Sequence, residues 1–314
     1  MTLIVAGFEK DGTIVFCGDS LITTKANGST VKLTSSFRKI IPLEIIVRVP
    51  EIDPSGKIIN YIESLCQHRC MIAFAGSTLV SQHIINSIQG HLKQIKYTYD
   101  SGTYDYSEGC IKGAGYKLIM GCEDNKSVEE TYWNEDMFVE PVKNANELIN
   151  KNFLRNVFSH CIQKTMNEFY ININEEFNPE WFASDFIVAL SCYETKKNHL
   201  FTFKMEFNES GVNLIEKEIN INELAIIGIS RYSEEIIQAY QTQKATLSTS
   251  EILSQEITKA IIDNESIDLR EIGDPVVLKN SINIVNYVMS KNTGGAILLE
   301  KTNKRLAILV VQPC

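Results

Sequence analysis

The second residue of the chain, Thr2, directly follows the initiator methionine. Because threonine is small, we expect Met1 to be removed, which would leave a free α-amine and a hydroxyl on one residue. In that arrangement the hydroxyl attacks a carbonyl and the amine takes its proton, so a weak nucleophile becomes active. An unperturbed α-amine titrates at about pH 8, so little tuning is needed. Many proteins begin with Met-Thr, however, and this start alone equally fits a residue without a chemical role.

Two charged residues come near this N-terminus if the chain opens with a hairpin. The apolar runs Leu3–Phe8 and Thr13–Cys17 flank an Asp-Gly pair, which is a strong hairpin signal. The hairpin places Asp19 near the beginning of the first strand. Lys39, which begins a further apolar run, would lower the pKa of a neighbouring amine and stabilise developing negative charge, with Asp19 as its ion-pair partner. Each of the two, taken singly, also fits a solvated surface charge.

The elements that must position these residues alternate between blocks of strands and pairs of helices. Apolar periodicity predicts helices over residues 78–96, 146–169, 233–242 and 248–263, and strands over 70–75, 116–120, 186–193, 200–207, 212–219, 224–228, 295–299 and 306–311. This segregation favours an α+β fold with helices packed outside sheets. No strand, Gly-rich loop and helix follow one another, so a phosphate-cradling or dinucleotide-binding fold is disfavoured.

Composition and charge exclude several classes of function. The net charge of −9, without a dense run of Lys and Arg, disfavours nucleic-acid binding. The apolar stretch Thr2–Phe8 lacks the basic flank and the cleavage pattern of a signal peptide, and no window approaches the length of a membrane span. Eight scattered cysteines are typical of free thiols in a reducing compartment, so we expect a cytoplasmic protein.

Metal and serine-hydrolase sites are disfavoured as well. Cys66, His68 and Cys70 lie close in sequence, but no second pair of ligands at matched spacing accompanies them. The five histidines show no paired ligand spacing, and no Gly-x-Ser-x-Gly elbow is present. We therefore predict neither a metal nor an organic cofactor.

Several segments resemble the proteasome-like family of N-terminal-nucleophile (Ntn) hydrolases, in family order and at near-family spacing. They are similar to proteasome β-subunits, and especially to the bacterial relatives HslV and Anbu. The segments are TLIVAG from Thr2, DGTIVFCGDS from Asp11, FRKI from Phe37, IAFAG from Ile72, FIVALSCY from Phe186, LFTF from Leu200 and AIIGISRY from Ala225. The resemblance covers roughly residues 2–96 and 147–270. It implies a four-layer αββα sandwich of two antiparallel sheets flanked by helices.

The resemblance also implies roles for individual residues. Thr2 would be the nucleophile with its own amine as the base, and Asp19 and Lys39 would be the charged pair beside it. The backbone N–H of Gly76 would donate to the oxyanion, a role that suits a glycine because the backbone must come close. The chain is a few residues longer than the family pattern between Asp19 and Lys39, so Lys32 is an alternative to Lys39.

Further matches concern the substrate pocket and the support of the N-terminus. Phe74 and Thr78 would flank the pocket that binds the substrate residue before the cut. Asp263, with Asn264 as an alternative, would match the distal Asp that positions the N-terminus.

The chain departs from the family pattern at several places. Gly228 stands where the family has a catalytic-site Ser, and Ser230 follows two residues later. Residues 42–66 and 97–145 are insertions into a single domain of 314 residues, and a C-terminal extension begins at about residue 275.

The activity that the resemblance implies is that of a threonine-type peptidase, which cleaves peptide bonds of a peptide or an unfolded protein. The family forms rings, so a homo-oligomer is expected, with an unfoldase as a candidate partner. Two alternatives stay open. The insertions favour an amidase or a transpeptidase (ligase) of the same fold, and the imperfect Gly/Ser turn favours a catalytically silent subunit.

Overall fold

A computed structural model describes most of the chain. The described residues are 2–19, 22–26, 29–34, 37–55, 58–65, 69–100, 103–112, 115–120, 148–172, 182–192, 197–208, 211–257, 259–260, 283–289, 296–301 and 305–311. For residues 19, 22–26, 29–34, 52, 64–65, 69, 99–100, 283–289, 296–301 and 305–311 the backbone is described but not the side chains.

The described part of the chain is strand-rich, with helices in three separate stretches. The strands are β1 (Leu3–Phe8), β2 (Ile14–Asp19), β3 (Ile22–Ala26), β4 (Ser29–Thr34), β5 (Ile40–Leu43), β6 (Ile46–Ile52), β7 (Ile58–Leu65), β8 (Arg69–Gly76), β9 (Ile95–Asp100), β10 (Thr103–Asp105), β11 (Cys110–Lys112), β12 (Gly115–Ile119), β13 (Ser184–Cys192), β14 (Lys197–Asn208), β15 (Gly211–Ile219), β16 (Leu224–Gly228), β17 (Asn283–Met289), β18 (Ala296–Lys301) and β19 (Arg305–Val311). The helices are α1 (Thr78–Leu92), α2 (Lys151–Asn172), α3 (Ser233–Gln243) and α4 (249–257).

Two sheets carry the N-terminus and the residues predicted around it. The N-terminal sheet has the strand order β16-β1-β2-β19-β17-β18, and the central sheet has the order β15-β14-β13-β8-β5. All neighbours in the central sheet are antiparallel. The N-terminal sheet is antiparallel except between β17 and β19, which the C-terminal extension contributes as a parallel pair. The sequence did not predict β17.

Buried side chains join these sheets to each other and to the helices. Ile4 and Phe16 of the N-terminal sheet share one apolar cluster with Ala73 and Ile187 of the central sheet. The opposite face of β1 contributes Leu3 and Val5 to a second cluster, together with residues of α3 and α4. Strand β1 is thus buried on both faces, which explains why it is apolar throughout instead of alternating.

A third apolar cluster lies on the other face of the central sheet. There Ile72 and Phe186 pack with Ile84 of α1 and Phe158 of α2. The mixed α+β class, with helices outside sheets, is therefore confirmed. None of the helices in the described part of the chain combines the length and the apolar character that a membrane crossing requires.

The two predicted insertions together build one further sheet, the insertion sheet, with the order β12-β9-β6-β7. Its two halves meet where β6 and β9 run parallel, with Val47 opposite Ile95. Val47, Val49 and Tyr97 are buried in the same cluster as α1 and α2. The insertion sheet therefore shares a core with the helices that cover the central sheet.

The first hairpin closes at the predicted Asp-Gly turn. The N–H of Glu9 donates to the carbonyl of Thr13 at 2.7 Å, and the N–H of Gly12 donates to the carbonyl of Glu9 at 3.0 Å. Gly12 has a φ of +81°, a left-handed conformation that glycine adopts without strain. The turn therefore sets the register of β1 against β2, in which Ile4 lies opposite Gly18.

This turn also holds the N-terminus of α4. The Glu9 carboxylate accepts hydrogen bonds from the backbone N–H groups of Thr249 and Ser250, each at 2.8 Å. The Thr249 hydroxyl donates to the carbonyl of Phe8 at 2.7 Å. The first N–H groups of a helix have no partner within it, and a carboxylate there also interacts favourably with the helix dipole. Glu9 therefore caps α4 from a distant part of the chain.

Replacing Glu9 by alanine is expected to lower the free energy of unfolding by about 1–2 kcal/mol, because two N–H groups of α4 lose their acceptor. Urea denaturation followed by circular dichroism measures the change. Glu51→Ala, at an exposed position of β6, is the control and should shift stability by less than about 0.5 kcal/mol. Equal losses in the two variants would contradict a capping role.

Candidate active site

The side chains of Thr2 and Lys39 meet in a direct hydrogen bond. The Lys39 Nζ donates to the Thr2 Oγ1 at 2.8 Å. Thr2 immediately precedes β1 of the N-terminal sheet, and Lys39 immediately precedes β5, the edge strand of the central sheet. The contact therefore links the two sheets at the N-terminus of the chain.

The Lys39 side chain is unusually placed for a lysine, since only 5% of the residue is exposed. Burying an ammonium group costs several kcal/mol unless polar groups surround it. A methionine or leucine would fill the same space without that penalty. The hydroxyl oxygen of Thr2 accepts a hydrogen bond from the ammonium group. The buried charge therefore contacts the residue predicted to be the nucleophile.

Of the two lysines that the sequence left open, the structure describes the side chain of Lys39 only, and it contacts Thr2. Lys32 lies in β4, which pairs with β3 in a separate hairpin, and its side chain is outside the described part. Asp19 is the last residue of β2. Because Ile4 lies opposite Gly18, the backbone of Asp19 lies beside the start of β1, as the hairpin pattern predicted.

The backbone of Thr2 is fixed by the end of β16. Leu3 lies opposite Gly228, and the N–H of Ile229 donates to the Thr2 carbonyl at 2.9 Å. Gly228 has a φ of +93°, and a Cβ at this position would lie 1.9 Å from the Thr2 carbonyl oxygen. Only glycine fits there, which explains physically why Gly228 interrupts the expected Gly/Ser pattern. Sequence reasoning treated this glycine as a mismatch and missed its contact with Thr2.

Gly76 ends β8 in a similarly confined position. Its φ is +118°, and a Cβ would lie 2.2 Å from the carbonyl oxygen of Ala183. Two residues earlier, the N–H of Phe74 donates to the carbonyl of Lys39 at 3.2 Å. Amide groups alternate between the two sides of a strand, so the N–H of Gly76 points to the same side as that of Phe74. This is the side of β8 on which β5 lies.

Helix α1 begins directly after Gly76. Its N-cap is Ser77, whose side chain makes no capping hydrogen bond, and its first residue is the half-buried Thr78. The N-terminus of a helix carries partial positive charge. The start of α1 and the N–H of Gly76 thus both lie at the end of β8.

A half-buried acidic residue is paired with the end of β8. Asp185 of β13 lies opposite Ala75, the residue before Gly76. Burial raises the pKa of the Asp185 carboxyl, and this outweighs the lowering effects of Lys204 and of a hydrogen bond from the Met205 N–H.

The structure describes two further predicted residues, Phe74 and Ser230, but not Asp263. Phe74 is 2% exposed and packs edge-to-face against Phe37, so it belongs to the core rather than to an open pocket wall. Ser230 is exposed and begins a single turn of 3-10 helix. Asp263 and its alternative, residue 264, lie outside the described residues.

The described residues contain no group of three or more His, Cys, Asp or Glu side chains that could hold a metal ion. Cys66 and His68 fall outside that part of the chain. Cys70 is a buried free thiol, and burial raises its pKa well above the usual value. A neutral thiol of this kind is a poor metal ligand.

No protein-family model and no curated protein matches the sequence. A solved structure of an Anbu (Gly-1) mutant from Hyphomicrobium sp. strain MC1 is similar, with 13% identity and a TM-score of 0.37. The match covers 76% of this chain but only 64% of that one, less than two thirds of its length. The helical assembly of the Anbu complex from Pseudomonas aeruginosa gives 13% identity and a TM-score of 0.36, over 99% of this chain and 84% of that chain. Likeness at this level says nothing about the activity, substrate or assembly of this chain.

Replacing Gly228 by alanine is expected to displace the Thr2 carbonyl and to lower the free energy of unfolding by at least about 3 kcal/mol, since the new Cβ meets a backbone atom. Gly12→Ala is the matched control. It also has a positive φ, but nothing lies within 4 Å of its Cβ position, so only strain of about 1–2 kcal/mol is expected. Thermal and urea unfolding measure both variants. Equal losses would show that the contact with Thr2 adds nothing.

Proposed function

We propose that this chain is a threonine-type Ntn hydrolase that cleaves peptide or amide bonds, with Thr2 as its nucleophile after removal of Met1. The observation that supports it most is the buried Lys39 ammonium, 2.8 Å from the Thr2 hydroxyl oxygen. Strongly desolvated charges directed at a nucleophile are found preferentially at functional sites.

The arrangement supports the following reaction. The Thr2 hydroxyl is free to donate its proton elsewhere, because Lys39 donates to the oxygen. In mature protein that proton passes to the α-amine of Thr2 while the oxygen attacks the substrate carbonyl. The nearby ammonium of Lys39 lowers the pKa of the amine by like-charge repulsion, so that more of the amine is neutral and able to act as a base.

The tetrahedral intermediate carries its negative charge on the former carbonyl oxygen. The N–H of Gly76 would donate to this oxyanion, and the partial positive charge at the start of α1 would add to the stabilisation. Collapse of the intermediate breaks the C–N bond, and the leaving amine takes the proton held by the Thr2 amine. Water then hydrolyses the Thr2 ester, which releases the acid and restores the hydroxyl.

Other expectations are part of the same proposal. The cluster between the two sheets, with helices on the outer face of each, is the packing expected of a four-layer αββα sandwich in one domain. Asp19 would pair with Lys39, and Asp263 or its alternative Asn264 would position the N-terminus. Ser230 would take the place of the family's catalytic-site Ser. The resemblance implies a cytoplasmic homo-oligomer that acts on peptides or unfolded proteins, with an unfoldase as a candidate partner.

An amidase or transpeptidase of the same fold is a second candidate, and the insertion sheet favours it. A sheet shared between two insertions is extra structure that a minimal proteolytic subunit does not need. The discriminating measurement adds amine acceptors to the acyl-enzyme. Formation of a new amide in preference to the free acid identifies the transpeptidase.

The first experiment is the intact mass of purified protein before and after treatment with a β-lactone or an epoxyketone. We expect Met1 to be absent and wild-type protein to gain one inhibitor mass, whereas Thr2→Ala gains none. If Met1 is retained, or if both proteins behave alike, the hydrolase proposal fails and a silent subunit is the better description.

Replacing Lys39 by methionine tests the supporting contact. It keeps the length of the side chain and removes the buried charge, so folding is expected to be retained while β-lactone labelling slows by about 10²–10³-fold. Lys10→Met, in the exposed turn at the far end of β1, is the control and should label at the wild-type rate. If Lys39→Met is labelled at the wild-type rate, Lys39 does not contribute to the reactivity of Thr2.

A further inference from the structure

Two buried serines lie behind Gly76, in a part of the core that is otherwise apolar. Ser81 of α1 and Ser184 of β13 are 0% and 1% exposed. The Ser81 hydroxyl donates to the Ser184 hydroxyl oxygen at 3.0 Å. The Ser184 hydroxyl in turn donates to the carbonyl of Ser77 at 3.3 Å, with the Phe182 carbonyl as a longer alternative at 3.5 Å. The two side chains thus form a short chain of hydrogen bonds that ends on the residue after Gly76.

The backbone of the same segment is held from the same side. Ser184 lies opposite Gly76 in the register of β13 with β8. The N–H of Ser77 donates to the carbonyl of Ala183 at 3.0 Å. A Cβ on Gly76 would lie 2.9 Å from the Ser184 Cα, so the two backbones are in contact. Both peptide groups after Gly76 are therefore anchored to the start of β13.

This anchoring matters because glycine has the freest backbone of all residues. An oxyanion donor is effective only if its N–H is held at the right place before the reaction, and a displacement of 1 Å can cost about 100-fold in rate. Gly76 ends its strand at a φ of +118° and has no side chain of its own to restrain it. Its neighbours must supply the restraint.

Packing alone does not explain the two hydroxyls. Alanine would fill both positions with nearly the same volume, and a buried hydroxyl stabilises only while its partner is present. The hydrogen bonds between Ser81, Ser184 and Ser77 join α1 to β13 at the point where the oxyanion donor would have to be fixed.

We propose that Ser184, supported by Ser81, is a positioning residue that holds the Gly76 peptide in place for acyl transfer at Thr2. This inference rests on the proposed hydrolase function. Ser184 does not touch the substrate, and its effect reaches the reaction through Ser77 and Gly76.

The test compares Ser184→Ala with Ser191→Ala in full-length protein. Ser191 lies at the other end of β13 and is also fully buried, so it controls for the loss of a buried hydroxyl. Turnover of a fluorogenic peptide gives kcat and KM, and thermal unfolding gives stability. We expect Ser184→Ala to lower kcat by about tenfold with KM within twofold of wild type, and Ser191→Ala to keep kcat within twofold.

A peptide aldehyde provides the readout that a structural role alone would not change. Its adduct with Thr2 carries an oxygen at the oxyanion position, whereas the matching peptide alcohol forms no adduct. Ser184→Ala should weaken binding of the aldehyde by the same factor as kcat, about tenfold, and leave binding of the alcohol unchanged. Ser81→Ala, which keeps the bond from Ser184 to Ser77, should show a smaller loss in the same direction and replaces Ser184→Ala if that variant does not fold.

The outcomes separate this inference from the function on which it rests. If wild-type protein turns over the peptide and Ser184→Ala matches Ser191→Ala in kcat and in aldehyde binding, the positioning role is wrong and the hydrolase proposal stands. If wild-type protein neither turns over the peptide nor is labelled at Thr2, both are overturned.

Discussion

The contact between the Lys39 ammonium and the Thr2 hydroxyl is the interaction on which the rest of the site depends. It joins the beginnings of two strands that belong to different sheets, so the sheets must stack in one relative position for it to form. The apolar cluster between Ile4 and Ala73 supplies the stacking force, because close-packed side chains allow few alternative arrangements. A buried charge is tolerated here because the packing of both sheets brings a polar acceptor to it.

Two glycines allow close contacts between backbone segments at the site. Gly228 allows the end of β16 to approach the Thr2 carbonyl, and Gly76 allows the end of β8 to lie against Ala183. In each case a Cβ would occupy space that another backbone already fills. Thr2 and Gly76 are thus held by contacts between main chains, which are stiffer than contacts between flexible side chains.

The sequence was most informative where local pattern and tertiary environment agree. The hairpin of β1 and β2 was predictable because Asp11 and Gly12 favour its turn, and the pairing of Thr2 with Lys39 was predictable in residue type from the resemblance. Their distance was not, since it depends on how two sheets stack. The insertion sheet was also missed, because β6 and β9 come from segments far apart in the chain. In β7 the apolar Ile59 is exposed, so the strand lacks the regular alternation of apolar and polar residues that would predict it. Phe74 was expected at a pocket from its motif, but its neighbours, not the motif, decide which face of the strand is covered.

The position of β1 within its sheet has a consequence for the order of events during synthesis. Strand β1 lies between β2 and β16, and the partner residues on β16 end at Gly228. One side of β1 therefore stays unpaired until most of the chain has left the ribosome. At about 5–20 residues per second, this interval lasts on the order of ten seconds or more. The Thr2 carbonyl therefore gains its partner on Ile229 late, and until then β2 is the only neighbour that β1 can pair with in this part of the sheet.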